Sequence, residues 1–230
     1  MSLLRFLALV MLTVAPITAH AADTATPSLE SIMADRVIGN PKAPVTIVEN
    51  ASLTCSHCAD FHTRVLPEVK KQLIDTGKAK LIFRDFPLDG SALKASALAR
   101  CMPTERYFAF IKVLYEKQAS WILEQDPTPA LVRYASLAGL TPATATACMN
   151  DTKILDALAQ QRLKSQEKYK INATPTFILN DGADIIQGAV PVEVFVTKVN
   201  ALLAKKDKPA TSPAPVAPPV VQTDHSAHTH

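Results

Sequence analysis

Four consecutive residues, Cys55-Ser56-His57-Cys58, carry the clearest chemical signal in the sequence. They stand where a short apolar, β-branched run gives way to a helical repeat of apolar residues, which predicts a strand followed by a helix. A thiol at the start of a helix lies beside unpaired backbone N–H groups at the positive end of the helix dipole, and both favour its thiolate. We therefore predict that Cys55 is a redox nucleophile and that Cys58, one turn further in, is the shielded resolving thiol.

The two residues between the cysteines are expected to tune this thiolate. His57 brings a ring that can carry positive charge within reach of the Cys55 sulfur, so it should lower the pKa of that thiol further. Ser56 occupies the other intervening position. A lower thiol pKa stabilises the reduced protein, so the oxidised protein gives its disulfide away more readily.

Other uses of a Cys-x-x-Cys pattern fit this sequence less well. Attachment of a c-type haem needs a histidine directly after the second cysteine, where Ala59 stands. A structural zinc site needs four ligands, and although His62 follows Cys58 by four positions, no further Cys/His pair completes the set. A purely structural disulfide would close too small a loop to stabilise the fold much. No metal site and no cofactor are predicted.

The other two cysteines, Cys101 and Cys148, are far apart in a segment with a helical pattern. Neither has a cysteine nearby in sequence or a helix-start setting. A structural disulfide that joins two helices is therefore favoured over a second redox pair, and over two buried free thiols.

The elements that must position these residues predict an α/β fold. Their order is a strand, a helix kinked at Pro67, a strand, four or five helices, a hairpin and a closing helix. The corresponding ranges are 45–48, 57–76, 79–86, 91–169, 176–179 with 183–187, and 191–205. This order predicts a mixed sheet, formed by 28–90 and 170–206, that is interrupted by an all-helical insert at 91–169.

The first 21 residues are predicted to be an export signal. Arg5 supplies a positive charge, residues 6–14 form an apolar run too short to span a membrane, and a small-x-small pattern predicts cleavage after Ala21. Residues 207–230 are rich in proline and predict a disordered spacer. The spacer ends in His225, His228 and His230, for which a solvated end is favoured over weak metal binding.

The charge balance argues against a nucleic-acid partner. The 230-residue chain has 24 Lys+Arg against 21 Asp+Glu, and removing the leader takes away Arg5 and no acid, which leaves 23 against 21. The lysine pairs Lys70-Lys71 and Lys205-Lys206 are isolated, so there is no basic stripe along one face.

A second signal lies downstream, where Ala173-Thr174-Pro175-Thr176-Phe177 places a proline at the mouth of a strand. Together with Thr-Cys-Ser-His-Cys-Ala-Asp-Phe-His and the later Phe-Arg-Asp-Phe-Pro-Leu, this arrangement resembles the DsbA family, over roughly residues 35–205. The resemblance implies a thioredoxin-like fold with an inserted all-helical subdomain.

The same resemblance implies roles for individual residues. The Thr174–Pro175 bond would be cis and would face Cys55, and the loop would pair with an extended substrate peptide. Glu49 matches a buried acid that helps to move protons near the inner cysteine. An exposed glutamate at a strand end is the alternative for this residue. The best-known members carry proline where Ser56 stands, so their redox strength does not transfer to this chain.

The function implied is a periplasmic thiol:disulfide oxidoreductase that donates the Cys55–Cys58 disulfide to reduced exported polypeptides. A membrane quinone-linked thiol oxidase of the DsbB type would reoxidise it. A disulfide isomerase or reductase is one alternative, but such isomerases usually carry an N-terminal dimerisation domain, and only a few dozen residues precede the fold here, which favours a monomer. A copper-handling DsbA-like binding protein is another, and copper titration with and without the His-ended tail would distinguish it.

Overall fold

The computed structural model of the protein describes residues 28–207. The predicted leader, with its cleavage site after Ala21, and the three tail histidines lie outside the described residues. Within 28–207, no helix combines the length and the apolar character that crossing a membrane requires.

The described residues form a five-stranded sheet surrounded by helices. The strands are β1 Arg36–Ile38, β2 Val45–Ala51, β3 Ala79–Asp85, β4 Thr176–Leu179 and β5 Asp184–Gln187. The α-helices are α1 Leu29–Met33, α2 Ser56–Asp60, α3 Leu66–Val69, α4 Gly90–Arg100, α5 Thr104–Glu116, α6 Ala119–Ile122, α7 Thr128–Leu137, α8 Pro142–Asn150, α9 Thr152–Tyr169 and α10 Val192–Asp207. A 3₁₀ turn, Asn180–Gly182, closes the β4–β5 hairpin.

The sheet has the strand order β1-β3-β2-β4-β5. Strands β2 and β3 are parallel, whereas β4 pairs antiparallel with β2, and β1 and β5 are antiparallel edge strands. The parallel pair is joined through the helices that follow β2, as a parallel connection requires. Helices α4 to α9 all lie between β3 and β4 in the chain, so the predicted thioredoxin-like α/β class with a helical insertion is confirmed.

Several element boundaries differ from the prediction. Strand β2 continues to Ala51 because Glu49 and Asn50, which end the apolar run, are fully buried and still pair with both neighbouring strands. Six helices, rather than four or five, lie between β3 and β4. One of them, α6, is a single turn that the sequence pattern does not reveal. The short elements α1 and β1 were missed, because three to five residues give too little periodicity to recognise.

The helix after the cysteine motif is more irregular than one kink at Pro67 predicts. Two π-helical segments, Phe61–Val65 and Lys70–Ile74, stand on either side of the short helix α3 that contains Pro67. Proline lacks a backbone donor and interrupts regular α-helical bonding. The wider turns keep the chain helical on both sides of it.

The helical insertion is attached to the sheet through a buried ion pair and closed by a disulfide. Arg100, at the end of α4, donates from Nε to Asp85 of β3 at 2.7 Å, and both side chains are at most 1% exposed. Its other nitrogens donate to the carbonyl oxygens of Ala34 and Phe83. The next residue, Cys101, is bonded to Cys148 of α8.

We predict that replacing Asp85 by Ala destabilises the fold strongly. The change leaves the Arg100 guanidinium buried without its carboxylate, which costs about 3–5 kcal/mol. Asp75→Ala, which removes one member of the exposed Lys70–Asp75 pair, is the matched control and should cost less than about 1 kcal/mol. Urea unfolding measures both changes, and equal losses of stability would contradict the assignment.

We also predict that removing the Cys101–Cys148 bond destabilises the fold. The bond closes a loop across 47 positions, and loop-closure entropy puts the loss at about 4 kcal/mol for the double change to serine. The free energy of unfolding in urea measures it, with oxidised and reduced wild-type protein for comparison. Equal stability of the double variant and the oxidised wild type would reject a stabilising role.

Candidate active site

The two cysteines of the motif lie where β2 leads into α2. Cys55 is the N-cap residue, with an extended backbone, and α2 begins at Ser56. Cys55 is partly exposed, Cys58 is completely buried, and both are free thiols. A sulfur at this position faces the first backbone N–H groups of the helix, which have no partner within it.

The loop that carries Cys55 is held by polar side chains from the helices after β3. Gln118 donates from Nε2 to the carbonyl oxygens of Leu53 and Cys55, at 2.8 and 3.0 Å. The Tyr115 hydroxyl donates to the carbonyl oxygen of Ser52 at 3.3 Å. Sequence reasoning missed these residues, because isolated polar positions more than fifty residues from the motif give no sign of such contacts.

The environment of Cys55 lowers the pKa of its thiol to about 5. The largest cause is a hydrogen bond from the Cys58 thiol, and the side chain of Thr174 and the backbone N–H groups of Cys58 and His57 act in the same direction. Partial burial opposes these effects. Because each of these donors stabilises negative charge, the thiolate is the main form of Cys55 at neutral pH.

The Cys58 thiol has the opposite tendency. Burial raises its pKa far above the ordinary range, and its hydrogen bond to Cys55 and the charges of Cys55 and Glu49 raise it further. The two sulfurs are therefore unequal in the reduced protein. Cys55 carries the negative charge, and Cys58 keeps its proton and donates it as a hydrogen bond.

His57 contributes to this asymmetry through its backbone. Its backbone N–H lowers the pKa of Cys55, and its side chain is exposed. A contribution from the His57 ring to the pKa of Cys55 stays a prediction. The side chain of Ser56 is also exposed.

The loop before β4 lies against Cys55. The Thr174–Pro175 peptide bond is cis, and the protonated Cys55 thiol donates to the carbonyl oxygen of Thr174 at 3.3 Å. The Thr174 hydroxyl is buried and has no partner in the neutral state among the described residues, so it is free to turn towards the thiolate. This loop and the cysteine motif, 119 positions apart, form one site.

Glu49 lies behind the cysteines and is completely buried. Nε2 of His62 is 3.0 and 3.1 Å from its two carboxylate oxygens. The His62 ring also stacks on Tyr115 with 4.4 Å between ring centroids. Sequence reasoning considered His62 only as a zinc ligand, although its position four residues after Cys58 could have marked it as a neighbour of the motif. Within 28–207, no three His, Cys, Asp or Glu side chains form a group suited to a metal ion.

A mixed sheet with a Cys-x-x-Cys motif at a helix start and a facing Thr-Pro loop defines a protein of the thioredoxin superfamily. A sequence profile for the family described as "Thioredoxin" matches residues 31–199. The crystal structure of α-DsbA1 from Wolbachia pipientis is similar, with a TM-score of 0.68 and 37% identity, over 74% of this chain and 92% of that one. The chain belongs to the DsbA-like thiol:disulfide oxidoreductases of this superfamily.

Two relatives known from sequence carry related names. A Rickettsia bellii protein named as a protein-disulfide oxidoreductase is 32% identical over 147 residues, which are 64% of this chain and 57% of that protein. Disulfide bond formation protein D of Bacillus subtilis is 30% identical over 159 residues, 66% of this chain and 70% of that protein. The chain thus spans little more than half the length of the Rickettsia relative.

We predict that Cys55 of the reduced protein is alkylated by iodoacetamide at a rate that rises through a midpoint near pH 5 and is constant above about pH 7. Cys58 should stay unlabelled. Cys58→Ala should move the midpoint to higher pH, because it removes the largest cause of the low pKa. The Cys101→Ser/Cys148→Ser variant is the control and should keep the wild-type midpoint. An unchanged midpoint in Cys58→Ala would contradict the assigned cause.

Proposed function

We propose that this protein is a periplasmic enzyme that donates its Cys55–Cys58 disulfide to reduced exported polypeptides. The observation that carries the proposal is the unequal pair of thiols, with a pKa of about 5 at Cys55 and a buried neutral partner. Stabilising the Cys55 thiolate stabilises the reduced protein, so the oxidised protein is a stronger oxidant. That property suits disulfide formation better than reduction.

The proposed reaction consists of two thiol exchanges. A substrate thiolate attacks Sγ of Cys55, the Cys55–Cys58 bond breaks, and Cys58 leaves as a thiolate that takes up one proton. A second substrate thiolate then attacks the substrate sulfur of the mixed disulfide, and Cys55 leaves as a thiolate. The substrate gains a disulfide and the enzyme gains two electrons. The low pKa of Cys55 makes it the better leaving group in the second step.

The substrate-binding residues in this proposal are Thr174 and Pro175. Their loop is next to the Cys55 sulfur, with the Thr174 carbonyl oxygen 3.3 Å from it. An extended peptide lying along this loop would bring its own cysteine to Cys55 and would be held by backbone hydrogen bonds, which do not depend on side chains. This mode of binding suits an enzyme that must act on many unfolded sequences.

The remaining parts of the proposal rest on family membership and on the sequence. Reoxidation by a membrane quinone-linked thiol oxidase of the DsbB type, a monomeric state and cleavage after Ala21 belong to it. So does the division into a thioredoxin-like domain, 28–90 and 170–206, and a helical insert, 91–169. Two elements agree with this division, since α4 begins at Gly90 and α9 ends at Tyr169.

The proposal is tested with a reduced peptide that contains two cysteines. Oxidised protein should convert it to the cyclic disulfide in stoichiometric amount, and Cys55→Ser should abolish the reaction because the attacked sulfur is absent. The Cys101→Ser/Cys148→Ser variant should keep the activity. A wild-type protein that leaves the peptide reduced, or that instead reduces the oxidised peptide when started from its own thiol form, would contradict a donor role.

A further inference from the structure

Opening the Cys55–Cys58 disulfide creates a proton requirement deep inside the protein. Cys58 is 0% exposed and leaves as a thiolate when a substrate sulfur bonds to Cys55. Its surroundings strongly favour the neutral thiol, so it must receive one proton. At that moment the substrate covers Cys55, which is the partly exposed sulfur of the pair. The proton must therefore come from another direction.

The group placed to supply it is the carboxyl of Glu49. Glu49 is fully buried and within hydrogen-bond distance of His62, which follows Cys58 by one helical turn, so all three side chains lie on the same side of this helical segment. The charge of Glu49 also raises the pKa of the Cys58 thiol. Tyr115 is also buried, and the charges of Cys58 and Glu49 raise the pKa of its hydroxyl. That hydroxyl donates its proton to the carbonyl oxygen of Ser52, so it is not directed at Cys58. Glu49 has no contact with solvent, so it in turn needs a source of protons.

His62 connects Glu49 with a cavity that is open to solvent. Its Nε2 lies within hydrogen-bond distance of both carboxylate oxygens, and its side chain is 4% exposed. That exposure opens into a cavity of about 540 Å³ between α3 and α5, whose lining includes His62, Leu66, Lys70, Phe108 and Lys112. A cavity of this size holds several water molecules. Its lining contains no residue of the Cys55 or Thr174 loops.

We propose that His62 is a proton-relay residue, which passes protons between water in the cavity behind the site and Glu49, and through Glu49 to Cys58. This inference rests on the proposed disulfide exchange and adds to it a separate proton entrance. On reduction, one proton passes from His62 through the Glu49 carboxylate to the Cys58 thiolate, and bulk solvent returns one proton to His62 through the water in the cavity, so Glu49 and His62 end in the states in which they began. On reoxidation, the same proton returns to the cavity.

The arrangement separates the path of the electrons from the path of the protons. Electrons move with the sulfur exchange at the exposed side of Cys55, whereas protons enter from the side of α3 and α5. A bound polypeptide therefore does not block proton transfer. Because His62 acts through Glu49 and does not touch the sulfurs, it is a positioning residue in the exchange.

The inference is tested by chemical rescue. His62→Ala leaves a gap that opens into the cavity, so added imidazole can take the place of the missing ring. The rate of peptide oxidation by this variant in a single turnover should fall by about 10²-fold, the low end of general acid–base effects. It should then rise in proportion to the imidazole concentration at constant pH and ionic strength. Loss of rate without rescue, or no loss of rate, would overturn the relay.

Three further variants control this experiment. His62→Gln fills the same space and can donate to Glu49 but has no second ring nitrogen, so it should be slow and should not respond to imidazole. The double variant His62→Ala/Glu49→Gln should also resist rescue, because the inner member of the relay is missing. Thr63→Ala, on the exposed face of the same helix, should keep the wild-type rate with and without imidazole.

These outcomes separate the relay from the proposed function. If the wild-type protein fails to oxidise the peptide, the donor role fails, whatever His62 does. If the wild type is active and His62→Gln oxidises the peptide at the same rate, only the relay is overturned. His62→Gln therefore tests the relay even if His62→Ala does not fold. Imidazole acceleration of Thr63→Ala would equally overturn it, since the effect would then be independent of the vacated site.

Discussion

The unequal ionisation of two sulfurs only three positions apart is the constraint on which this site depends. A single negative charge is stable at Cys55 because Cys58, Thr174 and the first N–H groups of α2 all donate to it. Cys58 can act as such a donor only while it stays protonated, which its complete burial ensures. The burial of Cys58 therefore contributes directly to the activation of Cys55.

The rest of the fold maintains that arrangement. Strand β2, paired with β3, ends just before the start of α2. Gln118 and Tyr115 hold the loop between β2 and α2 through hydrogen bonds to its carbonyl oxygens. Tyr115 belongs to α5 and Gln118 to the turn between α5 and α6, and this inserted segment is held to the sheet by the buried Arg100–Asp85 pair. The insertion thus supports the chemistry, because without it the Cys55 loop would lack its main polar contacts.

The sequence allowed much of the site to be predicted, because the Cys-x-x-Cys motif and the Thr-Pro step carry their chemistry in residue type and spacing. It could not reveal the Glu49–His62 pair, which depends on how the π-helical segment Phe61–Val65 turns His62 towards β2. The contacts of Gln118 were missed for the same reason. Both depend on three-dimensional packing, and the sequence offers only the four-residue spacing of His62 from Cys58 as a sign of it.

The central claim is that the reduced protein holds one thiolate and one thiol near neutral pH. The most direct test is the reduction potential of the Cys55–Cys58 couple, measured against glutathione between pH 6.5 and 8. If Cys55 is ionised and Cys58 is not, reduction takes up two electrons and one proton, so the potential should fall by about 30 mV per pH unit. A slope of about 59 mV per pH unit would mean that two protons are taken up. It would contradict the account, because both sulfurs would then be thiols.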